Sequence, residues 1–475
     1  MSEKQQNCGE LYEESIKQLS KDLRGNDYVS GTAQFTDMTN ATYFYKLYGN
    51  KVKYCKPWKK FLVYNGKKWE ADEYGYAQSM IDTMTREMYK GARDIHDVRL
   101  RMDFEAHLKK SEALRRRDAC LASYARFDHA RITIDDMDRN PFLLNCENGT
   151  MDLETGTFRQ HDYKDNITKC SKFVYNKDAQ CPTWRTFLLQ VLDNDTELIR
   201  FVQKIMGYSL SADATEQVMF ILWGGGANGK STFLNVIADL LADYATTSRP
   251  ETFSKRSTES MGNDIARLRG SRLVTTAEFE QGKSFNESLI KQVTGNDAFT
   301  ARFLYGEYFS FLPTFKIFMA TNHKPIIKGN DYGIWRRIRL IPFTVTIPDK
   351  LRDRYLTDKL KAENSGILNW LLEGFNLWKK EGLTMPDTVK NATQNYQDEM
   401  DVVGNFISDC LQVDASKKLK ILNKDLYDLF QKWATERGEK VYSQRYLSLR
   451  LQEKGFVKSA SNSERYWKGL GKLEN

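Results

Sequence analysis

No stretch of about eighteen apolar residues occurs in this chain, which argues against a membrane-spanning helix. The start, Met1-Ser2-Glu3-Lys4-Gln5-Gln6-Asn7, lacks a signal-peptide pattern, so the expected location is the cytoplasm, with no membrane partner. The seven cysteines (Cys8, Cys55, Cys120, Cys146, Cys170, Cys181, Cys410) are scattered, with no Cys-x-x-Cys pair and no histidine at ligand spacing. That pattern disfavours a zinc site and leads to the expectation of reduced, buried thiols. No internal repeat or low-complexity segment is visible, which excludes a solenoid. What is present is 475 residues, 41% hydrophobic and 28% charged, a globular composition in a chain too long for one ordinary core. Net charge is +8, and residues 417–475 alone hold fourteen Lys/Arg against seven Asp/Glu. Such a concentrated basic segment is an electrostatic footprint for nucleic acid.

The most informative motif is Gly224, Gly225, Gly226, Ala227, Asn228, Gly229, Lys230, Ser231 and Thr232, a P-loop between the apolar run 218–223 and the helical pattern 233–241. Glycines let the backbone wrap phosphate oxygens, Lys230 supplies a charge for the β- and γ-phosphates, and the Ser231 hydroxyl is a ligand for Mg²⁺. ATP and Mg²⁺ are therefore the expected cofactors, held at the positive end of the following helix.

Residues 272–280 read as a strand ending in Glu278 and Glu280, at the edge where ligands gather in α/β sheets. Alternation places the two on one side, with one carboxylate expected to hold the Mg²⁺ shell and polarise the attacking water. The strand 315–322 ends in Asn322, an amide suited to sensing the γ-phosphate and a lytic water. Arg336 and Arg337, held by Trp335 and leading into an apolar strand, suit an arginine finger for a neighbouring copy's nucleotide; which of the two is left open. Between acid and amide, residues 299–311 alternate aromatics around Gly306 as a hairpin whose Arg302 and Tyr305 are candidate contacts to single-stranded DNA, with Lys291 in the preceding stretch a further DNA-binding candidate.

The regions separate as an N-terminal α+β module (1–175), an α/β core with parallel strands (180–345), a helical segment (346–400) and a tail (401–475). In the module, 60–69 and 151–158 read as hairpins turning at Asn65-Gly66 and Gly156, and 103–126 as one basic amphipathic helix. The tail reads as helix, helix and hairpin, a winged-helix domain with Ser443 capping and Gly455 ending the second helix. Gln444, Arg445 and Ser448 would then face a major groove, while Lys458, Arg465 and Lys468 would reach phosphates.

The ordered series of P-loop, Ala277-Glu278, Lys291-x-x-Thr294-Gly295-x-Asp297 with Ala301-Arg302, Ala320-Thr321-Asn322-x-x-Pro325 and Trp335-Arg336-Arg337 resembles superfamily III helicases. More narrowly it resembles the phage/plasmid primase–helicase type, related to the poxvirus helicase-primase and found in prophages, plasmids and chromosomal islands. Asn148-Gly149 with Asp152-Leu153 is similar to that family's N-terminal module, and residues 365–370 to its post-ATPase helices. The resemblance implies an AAA+ core, a homo-oligomeric, hexameric ring with ATP sites between subunits, and 3′ to 5′ translocation on single-stranded DNA. It also implies a replicative helicase of a mobile element, here expected to load itself at an origin through its duplex-reading tail; host replication proteins are candidate partners. A helicase loaded by a separate initiator, a primase–helicase and a non-motor DNA-binding ATP switch stay open. Two departures stand out: Phe279 separates the acids, which puts Glu280 in doubt, and little chain precedes the module to hold a primase. The acids at Asp135, Asp136 and Asp138 fit a cap or loop better than a priming site.

Overall fold

The structure, a computed structural model, describes residues 35–255, 261–278, 280–302, 308–329, 332–461 and 464–473. It is mixed α/β and divides into two compact units, Met1–Lys177 with Leu240–Tyr244, and Asp178–Asp239 with Ala245–Asn475. Core, helical segment and tail thus share the second unit.

The first unit is α+β. Strands β1 (Val52–Cys55), β2 (Lys60–Tyr64), β3 (Trp69–Ala71) and β4 (Arg131–Ile132) form a sheet in the order β3-β2-β1-β4. The β2–β3 hairpin turns through Gly66 at φ 94°, as the Asn-Gly pair implies. A second sheet of β5 (Leu143–Cys146), β6 (Gly149–Asp152) and β7 (Thr157–Arg159) has Gly156 at its expected turn, φ 71°. Helices Asp37–Tyr48, Tyr76–Ala92, Val98–Ser111 and Leu114–Tyr124 enclose a core of Phe44, Met84, Met88, Phe104, Leu108 and Tyr124. The single helix expected over 103–126 is two. Phe104 and Leu108 are buried, but the next buried set restarts at Cys120, Leu121 and Tyr124, so the apolar phase breaks and Ala113 turns extended, ψ 136°. The acidic cluster is consumed locally: Asp136 caps Thr133, whose hydrogen bonds hold its carboxyl below the usual range, and Asp138 accepts from the Thr168 amide at 2.8 Å. Cys55, Cys120, Cys146, Cys170 and Cys181 are free and buried, and burial pushes the Cys120 and Cys146 thiols up to about 12. Among the described residues, no helix is long and apolar enough to cross a membrane.

The second unit is built on a parallel sheet of β8 (Met219–Trp223), β9 (Ala245–Ser248), β10 (Leu273–Thr276), β13 (Lys316–Thr321) and β14 (Ile338–Pro342), in the order β14-β8-β13-β10-β9. Met219, Phe220, Ile221 and Leu222, and nearly all of β13, are fully buried, the continuous apolar pattern of strands covered on both faces. A hairpin of β11 (Phe299–Arg302) and β12 (Tyr308–Phe311) inserts before β13.

β13 begins with a lysine, Lys316, wholly enclosed over the Tyr208 ring and donating to the Ser211 carbonyl at 2.5 Å. Burial, with the neighbouring Arg272 charge, drives its amine well below the ordinary value. The unfolded chain therefore binds a proton there that the folded one does not, so stability should rise as pH climbs from the folded value towards about 10.5. Lys316→Met should flatten that rise, read as the difference in urea midpoint between pH 7 and pH 9.

Helix Asn364–Glu381 packs along helix Thr196–Tyr208, and helix Asp387–Met400 follows Pro386. The tail holds helices Val402–Cys410, Asn423–Glu436 and Gln444–Glu453, and strands β15 (Leu411–Val413), β16 (Lys420–Leu422), β17 (Val457–Ser461), β18 (Glu464–Lys468) and β19 (Leu470–Lys472). Strand order β16-β18-β17 sets a hairpin on a third strand, over a core of Phe406, Phe430, Leu447, Leu451 and Trp467. Ser443 caps the helix Gln444–Glu453 by accepting from the Tyr446 amide, and Gly455 follows it at φ 87°. The helix Val402–Cys410 and strands β15, β16 and β19 go beyond the helix, helix and hairpin read from the sequence; β15 and β16 are short and become strands only through partners far along the chain.

Candidate nucleotide site and nucleic-acid faces

The glycine-rich loop leaves β8 at Trp223 and enters the helix Lys230–Leu241. Phe343 donates to the Trp223 carbonyl at 2.7 Å and Ile347 to that of Ala227 at 2.8 Å, so the segment after β14 fixes the loop from outside. A Cβ at Gly224 would lie 2.0 Å from the Phe343 oxygen; Gly229, at φ 81°, would meet Val191 at 2.6 Å. Gly225 and Gly226 instead open onto space, with nothing within 4 Å of their Cβ positions. Tight on the outside and open within, the loop fits a phosphate cradle.

Lys230 is 5% exposed. Its Nζ donates to the Gly224 carbonyl (2.8 Å), Asn228 Oδ1 (2.8 Å) and Asn322 Oδ1 (3.0 Å). Asn228 is itself anchored by donating to the Phe343 carbonyl at 3.0 Å. Asn322 Nδ2 donates to Glu278 Oε1, which closes a chain from lysine through amide to carboxylate. Burial lowers the Lys230 amine from its usual value, with Glu278 opposing the shift. The three groups meet because β8, β10 and β13 run parallel and end at one edge of the sheet. Ser231 is exposed and Thr232 half-buried at the helix start, and Ala227 takes φ 50° in the loop.

Glu280 is elsewhere. Its carboxylate pairs with Lys283. The strand ends at Thr276, so the alternation that would align Glu280 with Glu278 stops before reaching them.

Arg336 and Arg337 stand at the opposite edge. Ile338 pairs with Met219 and Pro342 with Trp223, so the arginines precede β14 at the end remote from the loop, about 20 Å away along the strands at 3.3 Å per residue. Arg336 is exposed, its guanidinium donating to Gln217 Oε1 at 2.9 Å. Arg337 is 9% exposed; its Nε donates to Thr294 Oγ1 at 3.1 Å and its NH1 to the Gly333 carbonyl at 2.5 Å. Arg337 thus braces its own unit, and Arg336 is the one presented outward.

The hairpin has two faces. Phe299 and Phe311, and Ala301 and Phe309, pair towards the core; Thr300 and Ser310, and Arg302 and Tyr308, pair on the other side. Arg302 lies over the Tyr308 ring at 4.9 Å, and Tyr308 is 68% exposed. Tyr308 was not singled out from the sequence; the register from Arg302 was the signal that could have found it. Tyr305 and Gly306 lie outside the described residues. Lys291 is half-buried in the last turn of helix Glu287–Val293, a different element.

In the tail, Arg445 and Arg465 are exposed, while Lys468 is half-buried on β18. Gln444 Nε2 donates to the Asn423 carbonyl at 3.2 Å, so its amide is engaged within the domain. Lys458 donates to Ser448 Oγ at 3.5 Å and lies over the Trp467 ring, and burial lowers its amine. The helix Gln444–Glu453 also touches the core: Arg450 donates to the Lys328 carbonyl at 2.6 Å, in the segment that follows Asn322.

Residues 41–193 match the family described as D5 N terminal like, and 222–337 a family of unknown function designated DUF5906. A protein named as a helicase in Acanthamoeba polyphaga mimivirus is 31% identical over 62% of this chain and 33% of its own length. One so named in Frog virus 3 is 26% identical over 65% of this chain and 32% of its own. A protein named as a primase in African swine fever virus is 28% identical over 44% of this chain and 23% of its own. The chain is of the phage and viral primase–helicase type. It spans about a third of the length of the two named helicases among these primase–helicase relatives. The apo C-terminal region of NrS-1 shares the fold at TM-score 0.50 and 9% identity, over 88% of this chain and 96% of that one.

Proposed function

We propose that this protein is an ATP-dependent replicative DNA helicase, an AAA+ motor of superfamily III that assembles as a ring and carries a winged-helix duplex reader at its C-terminal end. The observation that carries the reading is the split of the catalytic set: Lys230, Asn322 and Glu278 at one sheet edge, Arg336 exposed at the other. A site so divided is complete only when a second copy presents its Arg336, which is the arrangement of a heterologous ring.

In that site the loop amides and Lys230 hold the ATP phosphates, Asn322 fixes the lysine and the carboxylate relative to each other, and Glu278 accepts the proton of the attacking water. Ser231 and Glu278 would hold Mg²⁺, which when bound neutralises charge building on the phosphates. Arg302 and Tyr308 offer one DNA strand a cation and a ring, features that a non-motor switch has no use for. Arg445, Arg465 and Lys468 supply cations for duplex phosphates, which makes a self-loading origin initiator of a mobile element the preferred form of the reading, with 3′ to 5′ travel implied by the family resemblance.

The test is strand displacement on a forked substrate beside a gel shift on blunt duplex. The tail is best removed after Met400, because Val403 and Phe406 belong to the tail core and a cut near Asp414 would strip β19 from β15. The chain ending at Met400 should unwind the fork in an ATP-dependent way and lose duplex binding. Unwinding without ATP, or duplex binding kept by that chain, would count against the reading.

A further inference from the structure

The first unit carries a cleft that the motor does not use. β1 and β2 are joined by Lys56-Pro57-Trp58-Lys59, with Lys59 at φ 52° and Trp58 45% exposed. Tyr54 and Phe61 pair across the strands, their ring centroids 5.0 Å apart. Against them the end of helix Leu114–Tyr124 and the following turn close a cleft of about 580 Å³, to which Lys56, Lys59, Arg126 and Arg131 contribute cations and Asp118 a carboxylate. Several other cations of this unit are paired: Lys67 with Glu147, Lys90 with Glu87, Arg116 with Asp37, Arg117 with Asp82, Arg159 with Asp165. Around the cleft Lys56, Lys59 and Arg126 are exposed and have no carboxylate partner among the described residues.

We propose that this cleft is a second single-stranded DNA site, separate from the hairpin of the core. Cations at its rim suit backbone phosphates, and the rings of Tyr54 and Phe61 in its lining suit base faces, with Trp58 exposed on the adjoining loop. The ligand is single-stranded because a base offers both faces to aromatic side chains only when it is out of the duplex stack. The site lies within one unit, and its occupancy needs neither ATP nor a ring.

The test uses the full chain without nucleotide and with Arg302→Ala, so that the hairpin contact is weakened. Anisotropy of a fluorescent oligo(dT) is titrated against it and against the same chain carrying Lys56→Glu, Lys59→Glu and Arg126→Glu. Three lost phosphate contacts should weaken binding about tenfold or more and lower the slope of log K against log salt by about 2. Photocrosslinking a 5-iodouracil oligonucleotide should mark a peptide containing Tyr54, Trp58 or Phe61. An unchanged circular dichroism melt shows that the triple variant folds. Unchanged affinity and salt slope, with crosslinks only outside residues 54–61, would overturn the proposal, as would an equal loss of blunt-duplex binding. None of these readouts depends on hydrolysis, so they stand apart from the fate of the motor reading.

Discussion

Lys230→Ala should abolish ATP hydrolysis, with a loss of about 10²–10³-fold or more, the scale on which removing one preorganised charge from a phosphoryl-transfer site acts. The amine is nearly enclosed and already aimed by Gly224, Asn228 and Asn322, so little reorganisation separates it from a phosphate. Its removal also frees Asn322 from one of its two partners, and Glu278 loses the support that runs through that amide. The tail core is built from residues 403–470, far along the chain from Lys230, so duplex binding should be unchanged in a gel shift. Normal turnover in this variant would remove the phosphate-cradle assignment altogether.

The second large effect separates the two arginines. Arg336→Ala should keep nucleotide binding and lose hydrolysis by about 10³-fold or more, the range for an arginine finger, with a melting temperature near that of the parent. Arg337→Ala should instead unfold at lower temperature. Its guanidinium is buried and ties Thr294 and Gly333 to the start of β14, and truncation leaves those groups without a donor at a cost of about 1–3 kcal/mol. Thermal unfolding and a nucleotide-binding titration on both variants distinguish the roles. A stable Arg337→Ala chain that binds but does not hydrolyse ATP would reverse the assignment.

The parts of this site that could be read from the sequence are those that topology places without help. Lys230, Glu278 and Asn322 each follow an apolar run, and parallel strands bring such ends to one edge. Glu280 could not be placed the same way, because the strand ends at Thr276 and the carboxylate pairs with Lys283. Whether Arg336 or Arg337 faces outward depends on Thr294, more than forty positions away, and no local pattern encodes that contact. Tyr308 needed the hairpin register. The cleft of the first unit draws on residues 54–61, 118–126 and 131, which become neighbours only when the parallel pairing of β1 with β4 sets them side by side. In the tail, the capped helix and its Gly455 stop were visible as local chemistry, whereas the strands β15 and β16 exist only through β19 and β18.

The central claim is that the ATP site is shared between copies of the chain, and mixing two inactive variants tests it most directly. Lys230→Ala retains Arg336, and Arg336→Ala retains Lys230. With free subunit exchange and random pairing around a heterologous ring, an equimolar mixture should recover about a quarter of the parent ATPase rate, since that fraction of interfaces joins an intact lysine to an intact arginine. A mixture as inactive as either variant alone, under conditions where the subunits are shown to exchange, would contradict the account.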